Sequence, residues 1–307
     1  MTNVPVSVSP TKAARRRQPK QGEFGGRGGG RGFRVFQYVA TFGSAAVISF
    51  PIYWLVVTSL KPSEDMFPKS IVDLVPHSLT LDHYWEVLFG GKNFFTYFSN
   101  SLMVAGSTTL ITLVVATLGA YALARLSFPG SRWLGRSVLF AYVIPPVLLV
   151  IPVFSILLGL GLYNSLFGLT LAHVTFAVPF ALWLLRAYFS GSPVELEQAG
   201  MIDGLTRLGV VRRIVLPLAG PGLVAVSIFT FMLSWNDYLY ALVLLTDDAV
   251  RTLPIGLNAS FMNHNMSAND WGNVMAASVL SAIPVFVAYL VLQRWLVGGL
   301  AAGAVKQ

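Results

Sequence analysis

The chain has 307 residues, 55% of them hydrophobic and only 11% charged, with a mean hydropathy of +0.66 and a formal net charge of +8. A soluble globular domain carries about 25% charged residues, so this composition excludes one and points to an all-α, polytopic membrane protein. No cysteine is present, which excludes disulfides, Cys-ligated zinc and thiol catalysis.

Residues 1–34 hold eight Lys or Arg against one acid, Glu23, together with a Gly run from 25 to 32. This reads as a basic, disordered cytoplasmic tail that touches anionic lipid head groups. The stretch GGRGGGRGF looks superficially like an RNA-binding segment, but a membrane domain follows at once and no nucleic-acid partner is expected. The apolar run that follows is too long for a cleavable signal and lacks a small-residue cleavage site.

A membrane span needs about 20 mainly apolar residues. Six such stretches follow: Val35–Leu60, Phe98–Ala124, Leu134–Leu160, Leu166–Leu185, Leu218–Thr246 and Val274–Val297. The membrane domain therefore runs over 35–299, with a short cytoplasmic tail at 300–307. Cytoplasmic loops retain Lys and Arg. With both termini inside, only Lys61, Lys69, Lys92 and Arg251 of the 21 basic residues lie outside. Loop 190–217 then faces the cytoplasm, and 61–97 and 247–273 face outward. In the first of these outer segments Tyr84, Trp85, Phe94, Phe95 and Tyr97 suit a membrane interface.

The inner loop is the most structured polar stretch. Ser192, Pro193 and Glu195 make a helix start, with Ser192 as the cap. Gly204 supplies the stop through a left-handed turn, and Thr206 caps a second short helix on which Leu208, Val211 and Val215 recur at helical spacing. Ala199 and Gly200 are small enough to let another protein surface approach. An element too polar to span and too patterned for a linker reads as a docking element.

Within the spans, Asp237 is the only acid. A carboxylate at mid-membrane costs at least ~2.5 kcal/mol unless it finds water or a partner. Trp235, Asn236, Tyr238 and Tyr240 beside it offer a stacking ring and hydrogen-bonding groups suited to a hydroxylated solute. The segment is therefore a translocation path or gate, or else a polar lock between helices. His173 reads as a packed, hydrogen-bonded histidine, since no second metal ligand sits at helical spacing. Pro145, Pro146, Pro152, Pro179 and Pro284 predict kinks. No nucleophile–base pair, paired carboxylates or phosphate-cradling motif is present, so no catalytic residue or metal site is assigned and the chain itself should not hydrolyse ATP.

The inner loop resembles the EAA loop of ABC-importer permeases: Glu-Ala-Ala, three residues, Gly, nine residues, Ile, one residue, Leu-Pro. Gln198, Ala199 and Gly200 occupy the Glu-Ala-Ala positions, with Gly204, Ile214, Leu216 and Pro217 following in register. Gln198 and Gly200 depart from the pattern. Together with VTSLKPSEDMF, SWNDYLYALVLL, TLPIGL and the closing GLAAGAVKQ, it resembles the carbohydrate-uptake permeases similar to the second maltose permease subunit, from residue 34 onward. That resemblance implies a bacterial-type inner-membrane permease subunit for a disaccharide or oligosaccharide such as maltose or trehalose. Its partners would be a homologous second permease, two ABC ATPase subunits that bind ATP and Mg, and an extracytoplasmic solute-binding protein. It places Glu195, Glu197, Gln198, Ala199, Gly200, Asp203, Gly204, Ile214, Leu216 and Pro217 at the ATPase-coupling surface, and Trp235, Asn236, Asp237 and Tyr238 near the path. The alternatives are an ABC permease for a glycerol phosphate or polyol, and an ion-coupled secondary transporter.

Overall fold

The computed structural model describes residues 31–67, 76, 78–261 and 267–304. Most of the tail 1–34 lies outside them. The chain divides into two compact units, Met1–Pro51 and Ile52–Gln307. Helix α1 (Arg31–Ser59) crosses that division and begins four residues before the expected span. In the first unit its apolar side chains are exposed, among them Phe36, Val39 and Ile48, and Tyr38 stacks on Phe42 with centroids 6.4 Å apart.

Among its described residues the regular structure of the second unit is all helical. α2 (Asp82–Phe89) is short, and α3 (Phe94–Arg125) and α6 (Leu166–Gly191) are long single helices. Between them, α4 (Ser131–Val143) and α5 (Val150–Gly159) form a broken third span, bent by 95°. Pro145 explains the break: it forces the preceding Ile144 into an extended conformation, ψ 121°, which a helix cannot contain. α6 and α13 run through Pro179 and Pro284 as single helices.

After α6 come α7 (Val194–Ile202), α8 (Arg207–Val210), a π-helical turn Val211–Val215 and α9 (Leu216–Leu218), then α10 (Gly220–Trp235). The segment 207–218 meets α10 at 78°. The fifth span is therefore not the single helix expected over 218–246. It stops at Trp235 and resumes as α11 (Leu239–Leu244). α12 (Leu253–Phe261) and α13 (Ala268–Ala304) complete the chain, so the helix runs on into the expected tail 300–307. Among the described residues four helices are long and apolar enough to cross a membrane, or up to six if each bent pair is one span.

Small residues let the helices approach closely, as membrane packing requires. α3 lies along α6 through Ala116, Ala120, Ala177 and Ala181, all fully buried, and a Cβ on Gly119 would fall 2.7 Å from Leu182. One core cluster joins these helices to Val210, Val215, Ala219 and Val226, so the loop after α7 shares a core with the spans. At the other end of α3, Gly256 of α12 makes room for the Tyr97 ring and Gly272 of α13 for that of His83. There Asn100 donates to the carbonyls of Ala249 and Arg251 (2.9 Å each).

Of the five aromatics expected at an interface, Trp85 and Phe95 are exposed, in a ladder with Phe89, but Phe94 and Tyr97 belong to the core. Tyr84 is instead fixed by a 2.7 Å bond to Ser59. Lys61, counted among the outer charges, is buried, with its ammonium over the Trp54 ring 5.0 Å from the centroid.

Candidate functional site

α7 carries Glu195 and Glu197 in its first turn, where carboxylates oppose the positive end of the helix dipole. Ser192 does not cap it. Its hydroxyl donates to the Tyr188 carbonyl (3.1 Å), closing α6, and Pro193 takes the cap position without a side-chain bond.

The end of α7 follows the sequence closely. Gly204 has φ +87°, the Leu205 amide donates to the Gly200 carbonyl (3.0 Å) and the Gly204 amide to that of Met201 (3.1 Å). This is a Schellman ending, and the Leu205 side chain closes over Gly200 as that motif favours. The Thr206 hydroxyl then accepts the Gly209 amide at 3.2 Å, capping α8.

The faces of α7 differ sharply. Glu197 and Gly200 are buried, whereas Glu195, Gln198, Ala199, Asp203 and Gly204 are exposed. Gly200 faces inward, away from any approaching surface: a Cβ there would stand 2.5 Å from Ile214 Cδ1. Ile214 and Leu216 are half-buried and Pro217 is exposed. Leu208 does not join Val211 and Val215 in the core. Like Ile202 at the end of α7 it is an exposed apolar side chain, the two being 70% and 85% exposed.

Glu197 is held from inside the molecule. Arg125, the last residue of α3, donates Nε to Oε1 at 2.7 Å and Nη2 to the Ser192 carbonyl at 2.8 Å, while the Tyr121 hydroxyl donates to Oε2 at 3.1 Å. Sequence reasoning counted Arg125 only as a loop charge and did not single out Tyr121. The available signal was their spacing of four at the end of an apolar run, which puts both on one helix face.

The second constellation lies at the α10–α11 break. Asp237 Oδ2 accepts the Ala241 amide (2.9 Å), so the carboxylate caps α11, and lies 3.2 Å from His173 Nε2, an ion-pair distance off the line of a good hydrogen bond. His173 Nδ1 is 2.8 Å from the Ser234 hydroxyl. The Tyr240 hydroxyl donates to the Pro146 carbonyl (2.6 Å), tying α11 to the third-span break. Trp235 is buried, donates to the Ser281 carbonyl (3.2 Å) and packs against Phe98 and Phe231. Asn236 and Tyr238 are exposed. Asn236 edges a mainly apolar cavity of ≈ 700 Å³ between α10, α12 and α13, to which Ser278 and Tyr289 add polar groups. Among the described residues no group of three His, Asp or Glu is placed to hold a metal.

Comparison with known proteins agrees with these features. Residues 115–301 match the family described as "Binding-protein-dependent transport system inner membrane component". The chain is 38% identical to the inner membrane ABC transporter permease protein YcjP of Escherichia coli K12, over 84% of this chain and 91% of that one. It is 34% identical to the trehalose/maltose transport system permease protein MalG of Thermococcus litoralis, over 89% and 97%. Among solved structures, it matches a bacterial ABC transporter involved in the import of the acidic polysaccharide alginate, with a TM-score of 0.74, 25% identity, and coverage of 86% of this chain and 96% of that one.

Proposed function

The chain belongs to the family of binding-protein-dependent transport system inner membrane components, and we infer that it is the permease subunit of an ABC importer for a disaccharide or oligosaccharide of the maltose or trehalose class. It is a multi-pass inner-membrane protein. In this reading it pairs with a homologous second permease, two ATPase subunits that bind ATP and Mg and carry out hydrolysis, and an extracytoplasmic solute-binding protein. Both termini and the loop 190–217 face the cytoplasm, in keeping with the distribution of Lys and Arg.

The observation that carries this reading is the two-sided build of the loop. One side is continuous with the α3–α6–α10 core through Val210, Val215 and Ala219. The other presents Ile202, Leu208, Gln198, Ala199 and Asp203 outward. An apolar tip on a rigidly held helix suits insertion into a groove on another protein, and any displacement there passes to the spans as packed cores transmit strain. Asn236, Asp237 and Tyr238 lie at a helix break beside a cavity. We place them near the solute path together with Trp235, whose buried ring lines the same cavity as Asn236.

The test is uptake of radiolabelled trehalose or maltose into proteoliposomes that hold the purified complex and its binding protein. ATP-dependent accumulation is expected. Accumulation without ATP that follows an ion gradient would overturn the reading.

A further inference from the structure

The Arg125–Glu197 pair is more than a link between two helices. Arg125 and Tyr121 sit one turn apart on α3, and three hydrogen bonds leave that one face for both sides of the α6–α7 corner: two to the Glu197 carboxylate on α7 and one to the Ser192 carbonyl at the corner itself. Both carboxylate oxygens are engaged, and the charged side chains are only 11% and 7% exposed.

We propose that Arg125 and Tyr121 are positioning residues for coupling: they clamp α7 and the end of α6 to α3, so that force applied to the outer face of α7 moves the spans instead of bending the α6–α7 corner. The proposal rests on the reading of Glu195–Pro217 as the coupling loop. Apolar packing alone would hold the loop near the core, but it is non-directional and permits sliding. A guanidinium bonded to a carboxylate and a carbonyl at once fixes orientation as well as distance. Separating the pair would strand a charge in a poorly solvated site, so the clamp opposes the displacement that a moving partner imposes. The neighbouring Gln198 lies on the exposed side of the helix. Of these two adjacent positions, the charged one is turned inward to the clamp and the neutral one outward.

The experiment compares reconstituted complexes carrying the wild-type chain, Tyr121→Phe, Arg125→Lys, or the double change Arg125→Met with Glu197→Met, with radiolabelled trehalose and maltose as probes. Assembled complex, ATP hydrolysis and solute uptake are measured on each, and the readout is solute moved per ATP hydrolysed. The double variant should assemble, because apolar replacement of a buried ion pair is often tolerated, yet move about fivefold less solute per ATP or worse. Arg125→Lys, which keeps the charge and loses the fork, should fall between it and the wild type. Tyr121→Phe, which leaves the ion pair in place, should lower the ratio about twofold. If the double variant does not assemble, those two single variants decide the matter. Unchanged solute per ATP, with uptake falling only as assembly falls, overturns the proposal and leaves the clamp a purely structural contact. A wild-type complex with no ATP-dependent uptake would instead overturn the importer reading itself, and is seen in the control before any variant is compared.

Discussion

Gly204 offers the sharpest test of the coupling loop, because its environment separates two demands that usually come together. Its φ is +87°, and no heavy atom lies within 4 Å of where a Cβ would stand. Any loss caused by substitution within this chain therefore comes from the backbone and not from crowding. An L-residue held in a left-handed conformation costs roughly 1–2 kcal/mol, a factor of about 5–30 in the population of the correct turn. Asn tolerates the region well and β-branched Val poorly. The turn holds the Leu205 and Gly204 amides on α7 and positions Thr206 to cap α8, so relaxing it detaches one short helix from the other. The series Gly204→Asn, Gly204→Ala and Gly204→Val should lose solute uptake per ATP in that order, with Asn close to wild type. Uptake, ATP hydrolysis and complex recovery, all measured on reconstituted complex, decide it. Normal coupling in Gly204→Val refutes the argument. A Gly204→Asn as damaged as Gly204→Val refutes it differently, by showing that space for the docked partner, not φ, demands glycine.

Gly200→Ala restores the residue that the EAA pattern carries, and the methyl is crowded by the flexible end of Ile214 while meeting Leu205 and Val210 at ordinary contact distances. Its helix-propensity gain of up to ~1 kcal/mol offsets the shift of Ile214, so thermal unfolding should stay within about 1 kcal/mol of wild type, whereas Gly200→Leu overpacks the site by about 1–3 kcal/mol. Gly272→Ala drives a methyl into the His83 ring, which is buried with one nitrogen on the Lys61 carbonyl (3.0 Å) and the other facing Asn273 (3.2 Å). It should free α2 from α13, read as faster hydrogen exchange over 82–89. Asp237→Ala removes the cap of α11 and should destabilise by about 0.5–2 kcal/mol from that term alone, with Asp237→Asn milder in a thermal melt. The Glu86 carboxyl is held below its ordinary range: burial pushes it up, but the Asn269 amide, which donates to it at 2.8 Å, and the Lys92 ammonium at 3.2 Å outweigh that. Because the folded value is lowered, its small contribution is present above the unfolded pKa, near 4.5, and is lost as pH falls through the folded value. Hydrogen exchange over 82–89, with intrinsic rates corrected for pH, should show that loosening, and Glu86→Gln should abolish the pH step.

The spans were legible because apolar length is a property of the chain alone. So were the Gly204 turn and the Thr206 cap, whose chemistry is local. The faces of α7 were not legible. Its apolar residues at 194, 196, 199, 201 and 202 follow no single stripe, and the residue that anchors it inward is a glutamate whose partner lies 72 positions earlier. The interruption of the fifth span was hidden in a mainly apolar run. Its only signal was Asn236-Asp237 four residues before Ala241, an acidic cap in front of a helix turn. Phe94 and Phe95 show the same limit, since neighbouring residues of one type went to the core and to the surface according to which face of α3 they fell on.

Glu197, which is buried, and Asp237, which is half-buried, share a design that bears on how a coupling loop can act at a distance. Glu197 and Asp237 each stand at a corner where one helix gives way to another, and each is engaged across that corner by a side chain from a long unbroken helix: Arg125 of α3 for Glu197, His173 of α6 for Asp237. α6 connects the two corners. His173 lies on it and Ser192, held by Arg125, ends it, so at 1.5 Å per residue the corners are separated by nearly 30 Å of continuous helix. A helix tied near one end by the Arg125–Ser192 hydrogen bond and near the other by the His173–Ser234 hydrogen bond, and packed along α3, behaves as a strut. Under the proposed coupling, displacement at α7 reaches the 236–238 break without an intervening flexible joint. That break is where the chain can change direction at least cost, since its helical hydrogen bonds are already interrupted there.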